Sequence, residues 1–224
     1  MQLPARIWMF LQQLKQHRLI AVISVDRADI AENMALAAAR GGLHLLEITW
    51  TTPQAAEIIA RLRSSLPQCC IGAGTLRDRQ QVNEAVAAGA QFGFAPNTDI
   101  EVISAARDRG LPFVPGALSP TELMAAWRSG ATAVKVFPIS AVGGASYIRS
   151  LQRPLGDIPL IPTGGVTAEN VGDLLDAGAI AVGMTSALFK PQWVASGDWD
   201  SIADRAAQLI QCRGSAPVPT PFGL

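Results

Sequence analysis

The chain has 224 residues, 49% of them hydrophobic and 16% charged, with eighteen basic side chains set against eighteen acidic ones. That is enough apolar material for a substantial core and too little charge for a disordered chain. A net charge of zero removes the electrostatic case for nucleic acid or an acidic membrane as partner, and the length suits one barrel domain of about 200 residues or more.

Along the chain, the apolar start at Ile7 to Leu11 is followed by Gln12, Gln13, Lys15 and Gln16 and lacks a small-residue cleavage pattern. It reads as a helix rather than a signal peptide. No run reaches the eighteen or so residues of a membrane span, and the cytoplasm is the expected location. Eight short apolar, β-branched runs then recur at 19–25, 43–48, 70–73, 92–95, 112–114, 133–137, 158–161 and 180–183. Their lack of polar alternation is the mark of strands buried on both faces of a parallel sheet. Helical patterns at 30–40, 53–66, 78–89, 99–110, 119–130, 144–151 and 167–178 fill the intervals. Thr52-Pro53 reads as a helix start, and Gly42, Gly89, Gly110, Gly130 and Gly178 as helix stops. The expectation is an α/β fold, a single (β/α)8 TIM barrel with an N-terminal helix, over residues 1–213. A doubly wound open sheet is the alternative, without the glycine-rich loop of its dinucleotide-binding form after the first strand. Residues 214–224, with prolines at 217, 219 and 221, form a proline-rich flexible tail that excludes a helix.

The three cysteines, Cys69, Cys70 and Cys212, include no CxxC pair, which argues against a zinc site or a disulfide framework. Cys69 and Cys70 read as small buried residues at the start of a strand. His17 lies in the N-terminal helix and His44 at the start of the second strand, so both read as structural.

In a barrel, catalytic groups stand at the C-terminal ends of strands. Lys135 lies inside the apolar run 133–137, where burying its charge is costly. Desolvation favours the neutral amine, which attacks carbonyls to form Schiff bases. Glu47, in Leu45-Leu46-Glu47-Ile48-Thr49, is a second ionisable group in an apolar strand, suited to moving protons or to neutralising Lys135. Thr75 closes a glycine-rich strand end, as a substrate contact or a cap. Pro96 shapes the rim of the pocket. The segments carrying Thr163, Gly164 and Gly165, and Thr185 and Ser186, end the last two strands and open helices. That is where barrels hold phosphate on backbone N–H groups.

Leu46-Glu47-Ile48-Thr49, Gly72-Ala73-Gly74-Thr75, Phe94-Ala95-Pro96, Val114-Pro115-Gly116, Lys135-Val136-Phe137-Pro138 and Pro162-Thr163-Gly164-Gly165-Val166 occur in the order and spacing of one family. Over roughly residues 10 to 212 the chain resembles the 2-keto-3-deoxy-6-phosphogluconate (KDPG) aldolases, which include the 4-hydroxy-2-oxoglutarate (KHG) aldolases. The resemblance implies a class I aldolase, a homotrimer without metal or other cofactor. Its substrate would be a small 2-keto acid, cleaved to pyruvate and an aldehyde, glyceraldehyde 3-phosphate or glyoxylate. By position Lys135 matches the Schiff-base lysine, Glu47 the general acid/base, Thr75 the threonine near the pyruvyl group, and Gly164, Gly165 and Ser186 the phosphate positions. One position departs: where many members carry a carboxylate-gripping arginine, four residues after the glutamate, this chain has Thr51. Arg27 or Arg77 would then supply a cation from a neighbouring loop, or the enzyme takes another 2-keto acid. The same imine would support decarboxylation of an oxaloacetate-type acid. The competing readings are a phosphate-binding barrel isomerase or synthase in which Lys135 and Glu47 act without covalent chemistry, and a barrel that binds a phosphorylated ligand without catalysis.

Overall fold

The computed structural model describes residues 4–212. Helix α1 (Ala5–His17) leads into alternating strands and helices: β1 (Leu19–Ile23), α2 (Ala28–Arg40), β2 (Leu45–Thr49), α3 (Ala55–Ser65), β3 (Cys70–Gly74), α4 (Arg79–Ala87), β4 (Gly93–Phe94), α5 (Ile100–Asp108), β5 (Phe113–Val114), β6 (Gly116–Ala117) and α6 (Pro120–Arg128). There follow β7 (Val134–Val136), α7 (Ala145–Leu155), β8 (Leu160–Pro162), α8 (Val171–Asp176), β9 (Val182–Met184), α9 (Pro191–Ser196) and α10 (Trp199–Cys212). No helix among the described residues is long and apolar enough to cross a membrane.

Every strand pairing is parallel. The strands form a curled sheet in two hydrogen-bonded pieces, β5-β4-β3-β2-β1-β9 and β6-β7-β8. The expected ring of eight continuous strands is thus met in part. The fifth run, expected over 112–114, continues to Ala117 and is broken at Pro115, which has no N–H to give the ladder. Backbone bonds link the pieces: Thr132 N–H donates to Phe113 O (2.8 Å) and Ile180 N–H to Leu160 O (3.0 Å), and Thr163 bridges Gly183. The doubly wound alternative is set aside, because β1 pairs with both β2 and β9, the first strand beside the last.

Side chains on the strands sort into two layers by their period of two. One set packs outward against the helices, including Leu46, Ile48, Val134, Val136 and Leu160. The other points to the inside of the curl: Ile20, Val22, Leu45, Phe92, Phe94, Val114, Ala133 and Ile161. Helix α1 closes the N-terminal end of this inner layer with Phe10, Leu11 and Leu14, and the Phe10 ring stacks on Phe92 at 4.8 Å. Each such fully buried side chain contributes about 1.5–3 kcal/mol. The inner layer is therefore solid at the N-terminal end.

Local chemistry sets the helix limits. Ser119 and Glu122 form a capping box with Pro120 at the first helical position of α6, and Asp99 caps α5. The expected glycine stops hold, as at Gly130 (φ 98°), where a side chain would be strained. Three expectations need correction. Thr52-Pro53 does not open α3. The helix begins at Ala55 after Gln54 in a left-handed conformation, and the Thr52 hydroxyl turns inward to Thr49 and Val25. The helix expected from Thr167 begins at Val171, because Thr167 and Asn170 exchange hydrogen bonds in a turn first. The segment after Met184 opens no helix; Leu188 and Phe189 N–H groups both return to Thr185 O, making a turn. The 214–224 tail expectation lies outside the described residues.

Candidate active site

Glu47 follows Leu45 by two residues, Lys135 follows Ala133, and Thr163 follows Ile161. Leu45, Ala133 and Ile161 belong to the inner layer, so alternation carries Glu47, Lys135 and Thr163 to the same inner face, one step nearer the C-terminal end. All three are buried: Glu47 is 1% exposed, Lys135 6% and Thr163 4%. Glycines make space among them. A Cβ at Gly74 would collide with the Glu47 carboxyl, one at Gly116 with the Pro96 carbonyl, and one at Gly183 would come 2.5 Å from the Thr163 Oγ1. Gly116 is the register partner of Lys135, which brings Pro96 to the rim on the lysine side.

The two buried groups are electrostatically coupled. Burial pushes the Glu47 carboxyl above the ordinary carboxylate range, and the Lys135 ammonium brings it part of the way back. Glu47 Oε1 is buried with no hydrogen-bond partner among the described residues, an unusual state for a buried oxygen and one common at catalytic positions. The Lys135 Nζ lies 4.7 Å from the centre of the Phe137 ring, which therefore forms one wall beside the amine.

Thr75 follows β3 directly, half-buried, with a left-handed φ of 57°. Such a conformation is costly for a β-branched residue and collects at functional sites. Gly164 and Gly165, both at φ 83°, turn the chain after β8, and Thr185 and Ser186 lie exposed just beyond β9. Since β8 and β9 are bridged, these two turns are neighbours on one rim. The N–H groups of Gly164, Gly165 and Ser186 donate no hydrogen bond to another described residue. With the helices starting later than expected, it is these turn N–H groups, not a helix N-terminus, that are free to hold an anion.

The other candidates separate from the site. His17 and His44 stack on each other at 4.3 Å at the N-terminal ends of the strands, and His44 Nδ1 meets Gln68 O. Cys69 is buried and Cys70 half-buried at the start of β3, and burial pushes the Cys70 thiol up to about 12, where it is inert. Arg27 is exposed and paired with Asp29 at 2.6 Å. Sequence reasoning missed Thr49 and Phe137. Both follow Glu47 and Lys135 by two residues, so the same alternation would have found them.

A family model described as KDPG and KHG aldolase matches residues 11–205. The chain is 38% identical over 199 residues to the 2-dehydro-3-deoxy-phosphogluconate aldolase of Pseudomonas aeruginosa, spanning 88% of this chain and 90% of that protein. It is 31% identical over 192 residues to the KHG/KDPG aldolase of Escherichia coli, spanning 86% and 90%. The structure of the KDPG aldolase of Legionella pneumophila, with pyruvate captured at low pH as a covalent carbinolamine intermediate, superposes with a TM-score of 0.82 at 28% identity, over 89% of this chain and 97% of that one. With the matched segment running from α1 into α10 and taking in both the buried acid and the buried amine, this chain belongs to the KDPG and KHG aldolase family.

Proposed function

We propose that this protein is a class I aldolase that cleaves a KDPG- or KHG-type 2-keto acid to pyruvate and an aldehyde, with Lys135 as the covalent nucleophile and Glu47 as the proton carrier. The observation that carries the reading is the pairing of these two buried groups on one inner face at the C-terminal strand ends, with an unpartnered oxygen on the acid.

The Lys135 amine adds to C2 of the keto acid and the carbinolamine loses water to give a protonated imine. Glu47, as carboxylate, takes the proton from the C4 hydroxyl. The C3–C4 bonding pair moves into the imine, the aldehyde departs and an enamine remains. The carboxyl, now protonated, returns its proton to C3, and water hydrolyses the iminium to release pyruvate and the free amine. Burial raises the Glu47 carboxyl above the ordinary carboxylate range, which suits one group to serve as both base and acid. Gly164, Gly165, Thr185 and Ser186 receive the substrate's phosphate on turn N–H groups and hydroxyls, while Thr75, Pro96 and Thr163 line the pocket. The single catalytic unit spans residues 1–213. Its two sheet pieces act as one closed (β/α)8 ring, supported by the backbone bonds across both seams. The working assembly is the homotrimer that family membership implies, measurable by sedimentation equilibrium.

The test is borohydride reduction of the protein with pyruvate, followed by intact-mass and peptide spectrometry. A pyruvyl adduct on Lys135 is expected. A folded protein with no adduct, beside an active control aldolase, overturns the covalent mechanism.

A further inference from the structure

A cleft of about 580 Å³ opens at the N-terminal end of the fold. Helix α1 supplies Arg6, Trp8 and Phe10 to it, the end of α3 Arg63, the start of β3 Cys70, and the loop after α4 Gln91. Its size is that of a small-molecule site, roughly 300–1,000 Å³. The aldol chemistry uses none of these residues. Strand β3 starts at the cleft with Cys70 and ends under the Glu47 carboxyl with Gly74, so a strand's length separates the cleft from the acid.

The charges decide what the cleft takes. Two guanidiniums line it, and no aspartate or glutamate does. Arg6 is exposed and has no ion pair or hydrogen-bond acceptor among the described residues. Arg63 Nη1 donates to Gln91 Oε1 at 2.9 Å, and the same oxygen accepts from the Ile71 N–H at 2.9 Å. Gln91 thus ties Arg63 to the backbone of β3, while Nε and Nη2 of Arg63 have no acceptor among the described residues. The Arg63 charge is felt inside the cleft, at the Cys70 thiol, although burial outweighs it there. An arginine carries five N–H donors, no acceptor and a permanent charge. Two of them lining one cavity without an acid leave donors that an anion satisfies with charge as well as with hydrogen bonds.

The guanidinium fork matches the paired oxygens of phosphate. Two positive charges suit a dianion, which a phosphate monoester nearly is at neutral pH, better than a single carboxylate. The apolar part of the cleft comes from α1. The Phe10 ring is fixed by stacking on Phe92, and Trp8 is 55% exposed at the cleft, a large side chain for a ligand ring to cover. We infer that this cleft is a second binding site, for a small phosphate monoester carrying a ring, with Arg6 and Arg63 on the phosphate and Trp8 against the ring. The turn N–H groups proposed for the substrate's phosphate lie at the other end of the strands. Here charged side chains do the holding, so binding should weaken as salt rises. The site needs no lysine chemistry and stands or falls apart from the aldolase mechanism.

The test is NMR of the indole N–H signals of the full chain, titrated with phenyl phosphate. The chain has five tryptophans, and Trp8→Phe identifies the Trp8 signal. Phenyl phosphate should shift that signal saturably. Arg6→Gln and Arg63→Gln should each weaken its Kd roughly tenfold, as for a lost hydrogen bond to a charged group, and Ser186→Ala should leave it unchanged. Inorganic phosphate, which lacks the ring, and benzoate, which has one charge, should both bind more weakly than phenyl phosphate. Arg6 is exposed and holds no bond in the fold, so Arg6→Gln decides the matter even where Arg63→Gln, which loses the Gln91 bond, melts early. No saturable Trp8 shift at millimolar phenyl phosphate, an unchanged Kd in Arg6→Gln, or benzoate binding as tightly as phenyl phosphate overturns the inference. Loss of the shift in Ser186→Ala would assign the binding to the substrate rim and overturn it as well.

Discussion

Gly74 lies directly beneath the Glu47 carboxyl: a Cβ added at this glycine would collide with Oε1, the oxygen that has no hydrogen-bond partner. The backbone φ of Gly74 is not among the positive ones, so the glycine is required for space and not for conformation. Gly74→Ala should therefore displace the acid. Overpacking of this kind costs about 1–3 kcal/mol of stability, and moving a general acid/base group out of reach costs part of its usual 10²–10⁴-fold contribution, roughly tenfold or more in kcat. Kinetics and thermal melting of Gly74→Ala check both. Wild-type kcat in this variant would place the proton carrier elsewhere.

Glu47→Gln keeps the shape and removes the titration. Its kcat should fall by roughly 10²–10⁴-fold, while the Lys135 adduct with pyruvate still forms. Its stability should show an inverse trend. Glu47 holds its proton to a higher pH in the folded state than in the unfolded chain. Below the ordinary carboxylate range both states are protonated and no difference arises. As pH rises past the unfolded value, the unfolded chain ionises first and the folded state loses stability until the folded carboxyl ionises too. The melting temperature of Glu47→Gln should thus gain on the wild type as pH rises from the ordinary carboxylate value of about 4 toward the raised value of the folded carboxyl. Scanning calorimetry across that range would show a flat difference if the carboxyl were not held up by burial.

Lys135→Met removes the amine but keeps an unbranched side chain of similar reach against Phe137. Aldol cleavage and borohydride adduct should both disappear. The melting temperature should stay level or rise, because burying an ammonium is costly and burying a thioether is not. Residual adduct on another lysine, found by peptide mapping, would reassign the nucleophile.

The anion rim is open to substrate comparison. Gly165→Ala places a Cβ 2.5 Å from Ser140 Cβ at a φ of 83°, which shifts the turn and its N–H group. Ser186→Ala removes a hydroxyl from the adjacent turn. Each should raise the KM for a phosphorylated substrate roughly five- to tenfold and leave that for 4-hydroxy-2-oxoglutarate unchanged. Equal losses on both substrates would move the phosphate site away from these turns.

Period and punctuation made much of this protein legible from sequence. Short β-branched runs with little polar alternation could only be strands covered on both faces, and Gly130 or Ser119-Pro120 mark helix limits by chemistry local to a few residues. An amine and an acid in apolar runs, Lys135 and Glu47, stand out against the cost of burying charge wherever the chain folds. Other features depend on groups far apart in sequence. The split at Pro115 matters only because a neighbouring strand wants the N–H that proline lacks. Gly74 reads as one more strand glycine until Glu47 is seen above it. The Thr52 hydroxyl reads as a helix cap, and the fold turns it inward because Val25, on another strand end, offers an N–H. Sequence by itself determined most of the elements and singled out the amine and the acid that the fold buries, because backbone propensity and the cost of buried charge act locally. Only the tertiary structure decided which glycine makes room for the acid and which turn N–H groups are left open, because each depends on a partner brought in from another strand.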